Sequence, residues 1–213
     1  MRNRATAACA ALVLAATLSP AAASDVNRIS NGEFDDADAV AEWSNLHTDY
    51  SDMFPDSTDS DLCPPSGSMY LSNTENTVPF ATAQFRTCTR NVTPGEMLQI
   101  SARFRFFEAT AASSATLIVF FYESANCSGD SLAGQATQLI QAGEEVWQSV
   151  LEPSIEAPAN TASAELRIHL TKNSENDSIA EVLVDRVALA PDGLAFAEDH
   201  EIGDPCRWSA EQN

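Results

Sequence analysis

The sequence predicts an all-β fold, a two-sheet sandwich of the jelly-roll kind, and three observations carry that prediction. Apolar and polar residues alternate with a period of two through several separate runs, as in strands with one buried and one wet face. Turn residues (Pro, Gly, Asn and Asp) punctuate the chain between those runs. Almost no stretch shows the 3.6-residue periodicity of an amphipathic helix.

The clearest run follows the pair Pro94-Gly95, where proline presets its own φ and glycine accepts the positive φ that follows. Leu98, Ile100, Ala102, Phe104 and Phe106 then alternate with Gln99, Ser101, Arg103 and Arg105, and Phe107 breaks the pattern. One face of this strand is predicted buried, and the other carries arginines.

Taken in order, Asn27 to Phe34 reads as an opening strand interrupted at Asn31-Gly32, and the acid-rich stretch from Asp35 to Trp43 as a turn of helix. Residues 44–66, rich in Ser, Asp and Pro, read as a long loop tied down by Cys63. Strands are predicted at Ser68–Ser72 and Phe80–Cys88, ahead of the strand after Pro94-Gly95. Thr116 to Tyr122 is β-branched and aromatic throughout, the pattern of a central strand covered on both faces. Leu132 to Ile140 carries no clear pattern. Val146 to Leu151 reads as a short strand, with Pro153 and Pro158 flanking a loop after it. Ala164 to Leu170 alternates again, and Ile179 to Leu189 is the last strong strand. About eight short strands separated by turns give a sandwich.

The first residues are not part of that sandwich. Arg2 and Arg4, the apolar run Ala10 to Leu18 and the small residues up to Ser24 form a secretory signal peptide over residues 1–23. Residues 24–190 are then the sandwich, and 191–213 an acidic C-terminal tail. No other stretch reaches the length of a transmembrane helix. The expected location is outside the cytoplasm, extracellular or periplasmic.

Formal net charge is −20, and losing Arg2 and Arg4 with the signal makes it two units more negative. Such a surface argues against nucleic acid or an anionic membrane as partner and suits a soluble monomer. Cys63, Cys88, Cys127 and Cys206 remain after the signal is removed. Export and an even count point to disulfides, and neither a C-x-x-C spacing nor a histidine cluster points to zinc. Four cysteines allow three pairings. Cys63 precedes one predicted strand and Cys88 ends the next, so a hairpin would bring them together. The expected bonds are Cys63–Cys88 and, from what remains, Cys127–Cys206, which would hold the tail.

Several pieces together resemble the carbohydrate-binding modules of families four, nine and twenty-two. They are Asn31-Gly-Glu-Phe-Asp35 with Trp43, Gly67-Ser-Met-Tyr-Leu71, Val92-Thr-Pro-Gly-Glu-Met-Leu-Gln-Ile-Ser-Ala102, Trp147 with Ala157-Pro158, and Val182-Leu-Val-Asp-Arg-Val-Ala-Leu189. The chain departs from the family's pattern at Asp35, Met97 and Arg186, where a glutamate, an aromatic and an aspartate are usual. The resemblance implies a jelly roll of the galactose-binding-like kind, with Trp43 and Trp147 in the core. It also implies a structural Ca2+ held by Asp35 and Asp185, with backbone carbonyls and waters completing the shell.

Sugar binding uses flat aromatic faces with planar polar groups around them. The candidates on predicted wet faces are Tyr70, Arg103, Arg105, Phe107, Tyr122 and His169. No G-x-S-x-G, H-E-x-x-H or zinc cluster supports catalysis. The reading is a secreted, non-catalytic protein that binds a polysaccharide or glycan through an aromatic and arginine face. The alternatives are a structural or adhesive exoprotein and a small glycan-active hydrolase.

Overall fold

The computed structural model describes residues 27–29, 32, 34, 40–60, 67–78, 80–107, 112–143, 145–173 and 179–192. The predicted signal peptide, Asp35, Cys63, Cys206, Trp208 and the tail beyond Asp192 lie outside the described residues.

Among the described residues, eleven strands build the fold: β1 (Ser44–Asn45), β2 (Met53–Asp56), β3 (Ser68–Asn73), β4 (Ala81–Arg90), β5 (Met97–Phe106), β6 (Ser113–Tyr122), β7 (Ala133–Ala136), β8 (Ile140–Gln141), β9 (Gln148–Glu156), β10 (Ser163–Lys172) and β11 (Ala180–Pro191). One sheet has the order β1-β4-β10-β6-β7, with β8 pairing β6, and the other has the order β2-β3-β11-β5-β9. All pairings are antiparallel. The long strands β3, β4, β5 and β6, and again β9, β10 and β11, fall alternately in the two sheets. The architecture is a jelly-roll β-sandwich, as the alternation patterns predict.

The core lies between the sheets and is made of the apolar sets read from the sequence. Leu98, Ile100, Ala102, Phe104 and Phe106 of β5 are all buried, and they face Phe85, Leu117, Val119, Phe121, Leu166, Ile168 and Leu170 of the opposite sheet. The turn ahead of β5 is closed by the Glu96 amide donating to the Thr93 carbonyl at 3.1 Å, with Gly95 at φ 75°. Asn73 fastens one sheet to the other. Its Nδ2 donates to the carbonyls of Ala81 (3.0 Å) and Leu170 (2.9 Å), while its Oδ1 accepts from the Glu75 amide at 3.1 Å. Nearby, the fully buried Lys172 donates from Nζ to the Glu75 carbonyl at 2.8 Å. Replacing a buried group that satisfies several partners strands those partners without water. Asn73→Leu should therefore lower the unfolding free energy by about 3 kcal/mol, read from the urea midpoint.

Four expectations need correction. Residues 44–66 are not one loop, because β1 and β2 form at the edges of the two sheets. The patternless stretch 132–140 contains β7, an exposed edge strand. β9 runs on through Pro153 to Glu156, which an edge strand permits because an outward-facing position needs no ladder N–H. Finally, β6 is not covered on both faces: Thr116, Ile118 and Phe120 are only half-buried.

The disulfide differs from both expected pairs. Cys88 is bonded to Cys127, with the two Cα atoms 6.1 Å apart. The reason is β10, which pairs β4 on one side and β6 on the other. Cys88 lies opposite Glu165, and the Cys127 amide in the loop after β6 donates to Ser163 Oγ at 3.1 Å. Both cysteines are thus delivered to the same end of β10. A hairpin argument confined to neighbouring strands misses this. The bond accords with an oxidising compartment.

Candidate functional site

The outer face of the β1-β4-β10-β6-β7 sheet carries a cluster built by register. Across β4, β10 and β6, Cys88, Glu165 and Phe120 align in one row, and Arg86, Arg167 and Ile118 in the next. Gln84, His169 and Thr116 form the third. Glu165 is the hub, with only 1% of its residue surface exposed. Its Oε2 accepts from Arg86 Nη1 at 3.0 Å, and its Oε1 accepts from Arg167 Nε at 2.9 Å and from Arg167 Nη2. The Tyr122 hydroxyl reaches the same Oε1 at 3.5 Å. Arg167 also donates from Nη1 to Gln84 Oε1 at 3.1 Å and lies over the Phe120 ring, 4.7 Å from its centroid. Such stacking fixes the guanidinium plane.

Phe120 rests on bare backbone. A Cβ at Gly134, its partner on β7, would meet the ring carbons at 2.8 and 2.9 Å. Only glycine lets the ring lie there. Burial raises the Tyr122 phenol above its usual value, with the Glu165 carboxylate adding to the effect. His169 is lowered to about 4, by burial first and then by Arg167 and His47. Its Nε2 has no hydrogen-bond partner among the described residues, while His47 stacks on Tyr50 with centroids 5.1 Å apart.

The six predicted binding residues therefore do not share one surface. Tyr122 and His169 belong to this face, whereas Tyr70, Arg103, Arg105 and Phe107 belong to the other sheet. There Phe54 stacks on Tyr70 at 4.3 Å, and Tyr70 meets Phe107 edge-on at 5.9 Å. The Tyr70 hydroxyl donates to Glu181 Oε1, and burial followed by that bond raises its pKa. Rings that pack on one another leave little flat surface for a ligand, although Phe54 remains 45% exposed. Trp43 is buried, while Trp147 is half-buried. Sequence reasoning passed over Arg86, Glu165, Arg167 and Phe120. The first three sat on wet-face positions with nothing to distinguish them, and the unbroken apolar run of β6 concealed Phe120.

Among the described residues, no group of three His, Cys, Asp or Glu side chains could hold a metal. The surroundings of Asp185 nevertheless fit a hard cation in part. Asp185 is fully buried; Oδ2 accepts from the Ser60 amide at 3.0 Å and Oδ1 from the Arg186 amide at 2.7 Å. Close by lie the buried hydroxyls of Ser60, whose side chain also acts on the Asp185 carboxyl, and of Ser68, which has no hydrogen-bond partner among the described residues. These are oxygen donors of the type calcium takes.

Burial raises Asp185 to about 6, against the lowering effect of the Ser60 side chain and of the Ser60 and Arg186 amides. A raised carboxyl stabilises the fold below its unfolded value of 3.8, and that stability is lost as pH rises through about 6. The loss is about 3 kcal/mol. His169 runs the other way: its stabilisation is complete above 6.5 and is lost as pH falls towards 4. Between pH 4 and 6 the two slopes oppose each other. In metal-free protein, the stability difference between wild type and His169→Gln should rise with pH over that range. The difference between wild type and Asp185→Asn should fall. Urea midpoints at pH 4, 5, 6 and 7 give both curves.

Solved structures share the fold. A xylan-binding domain of carbohydrate-binding module family 22 superposes with a TM-score of 0.54 at 14% identity, over 82% of this chain and 98% of that one. A family 61 module, solved in complex with β-1,4-galactotriose, gives 0.51 at 11% identity, over 78% and 99%. The enzymatically active domain of a bacteriophage CBA120 tailspike protein gives 0.53 at 16% identity over 78% of this chain, which spans only 21% of the tailspike's length. The chain thus has the β-sandwich fold of carbohydrate-binding modules. No protein-family model and no curated protein matches it.

Proposed function

We propose that this chain is a secreted, non-catalytic carbohydrate-binding protein. The proposed glycan site is the outer face of the β1-β4-β10-β6-β7 sheet. The observation that carries the reading is the Glu165 cluster. A buried carboxylate there orients two guanidinium groups and a phenol beside a half-buried phenyl ring that packs against Gly134 and carries the Arg167 guanidinium over it. Such an arrangement offers a sugar ring a planar guanidinium–phenyl stack and, at Arg86, hydrogen-bond donors beside it. The predicted signal peptide and the Cys88–Cys127 bond support secretion. The strands of this face direct one carboxylate outward, whereas glycoside hydrolysis ordinarily uses two.

Affinity electrophoresis through gels containing xylan, galactan, β-glucan or pectin tests the reading. Retention on at least one polymer is expected, with clear loss in Phe120→Ala. Free migration through every gel would sink it. The exposed Phe54 with Tyr70 and Phe107 favours a second reading, an adhesive protein using the opposite sheet for protein contacts.

A structural Ca2+ held by Asp185, with Asp35 as the second acid, belongs to the same proposal. Bound there, the ion would supply positive charge to a carboxylate that burial disfavours. Calcium added after EDTA dialysis should raise the melting temperature of wild type and leave Asp185→Asn unchanged.

A further inference from the structure

We propose that the glycan held on the Glu165 face is an acidic one, a polysaccharide bearing uronic acid carboxylates, and that Arg86 is the group that binds its carboxylate. This rests on the glycan-binding reading and narrows it.

The first argument is the distribution of charge. The whole chain has 31 Asp and Glu against 11 Lys and Arg. The outward positions of β4, β10 and β6 reverse that balance, with Arg86, Arg90 and Arg167 against Glu165 alone. Neither β1 nor β7 adds an acid. A cationic strip on a strongly acidic protein is complementary to an anionic ligand.

The second argument is the condition of Arg86. Arg167 is committed, since Glu165, Gln84 and the Phe120 ring take its donors and its plane. Arg86 gives only Nη1 to Glu165, and 42% of its side chain remains exposed. One carboxylate is thus shared by two guanidinium groups, which leaves one positive charge unbalanced and Arg86 with N–H donors not used by Glu165. Guanidinium presents paired N–H groups in a planar fork, which matches a carboxylate held beside a sugar ring better than it matches a hydroxyl. Cross-strand from Arg86, Arg167 lies over Phe120. A pyranose lying against this Arg167–Phe120 stack therefore has its substituents near the exposed cation. The general acidity of the protein opposes a polyanion at long range, but at physiological ionic strength that repulsion is screened beyond ~8 Å.

The test uses the full chain at about physiological ionic strength. Polygalacturonate, alginate and glucuronoxylan are each compared with their own carboxyl-reduced form, and a sulfated galactan is run beside them. At least one acidic polymer should be retained about tenfold more strongly than its reduced form. Arg86→Gln should shrink that preference to under about twofold, and Arg86→Lys should recover part of it. Arg105→Gln, on the opposite sheet, should keep it. Melting curves matching wild type establish that the variants are folded, and Arg90→Gln serves as a second variant on the same strip. Equal retention of parent and reduced polymers would overturn the uronate assignment while leaving glycan binding intact. Stronger retention on the sulfated galactan would overturn the carboxylate. Failure to bind any polymer, acidic or neutral, would remove the glycan reading and this inference together.

Discussion

Replacing Cys88 and Cys127 together by alanine should lower the unfolding free energy by about 4 kcal/mol, on the loop-entropy account of cross-links. The two positions are 39 residues apart, so the bond closes a loop containing the whole of β5 and β6. Opening it releases the end of β4 from the loop that follows β6. β10 is then left to hold those two strands by backbone pairing alone. Urea unfolding of the double variant gives the magnitude. A change below about 1 kcal/mol would mean that the unfolded chain is already constrained there. Peptide mapping without reductant tests the connectivity separately. It should recover a linked fragment containing Cys88 and Cys127, and a fragment linking Cys63 to Cys88 would refute the pairing.

Glu165→Ala should be the most damaging single change on the candidate face. Removing one member of a buried ion pair leaves the remaining charge unpaired, a loss of about 3–5 kcal/mol. Arg167 is the more buried of the two cations and would carry most of that loss, because Arg86 can turn outward into water. Glycan binding should fall at least about a hundredfold in protein that still folds, since neither guanidinium nor the Tyr122 hydroxyl keeps its orientation. Glu165→Gln keeps the shape and one acceptor oxygen, so it should fall between wild type and alanine in both measurements. Equal binding by wild type and Glu165→Ala, at matched folded fraction, would remove this face from the function.

Much of the sandwich was legible because alternation reports directly which side of a strand is dry. Every apolar position read on β5, from Leu98 to Phe106, proved to be buried. Where both sides of a strand are apolar, the pattern carries no such information. From Leu117 to Phe121 the side chains of β6 alternate between core and surface although all are large and apolar, so Phe120 was indistinguishable from Phe121. The hub of the face was obscure for a different reason. Glu165 looked like any solvated acid on a wet face, and only the register of β4 against β10 shows Arg86 and Arg167 closing over it. The disulfide was hidden in the same way, because the strand that joins its two halves lies far downstream in the sequence. Period and turn chemistry are local, whereas this cluster and this cross-link depend on which distant strands become neighbours.

The strand order also dictates when the protein can fold. β10 is the central strand of one sheet and β11 of the other, and they are the last two strands among the described residues. Among consecutive strands only β2 with β3 and β6 with β7 are paired, and each of those pairs includes a short strand. A chain emerging from the ribosome therefore has no complete sandwich to settle into until Ala180–Pro191 is free, and its rate-limiting contacts are distant ones. It should fold late and as one unit, in milliseconds to seconds rather than microseconds. Until β10 and β11 have both arrived, neither sheet can close around its middle strand, and the two halves of the core have nothing to pack against.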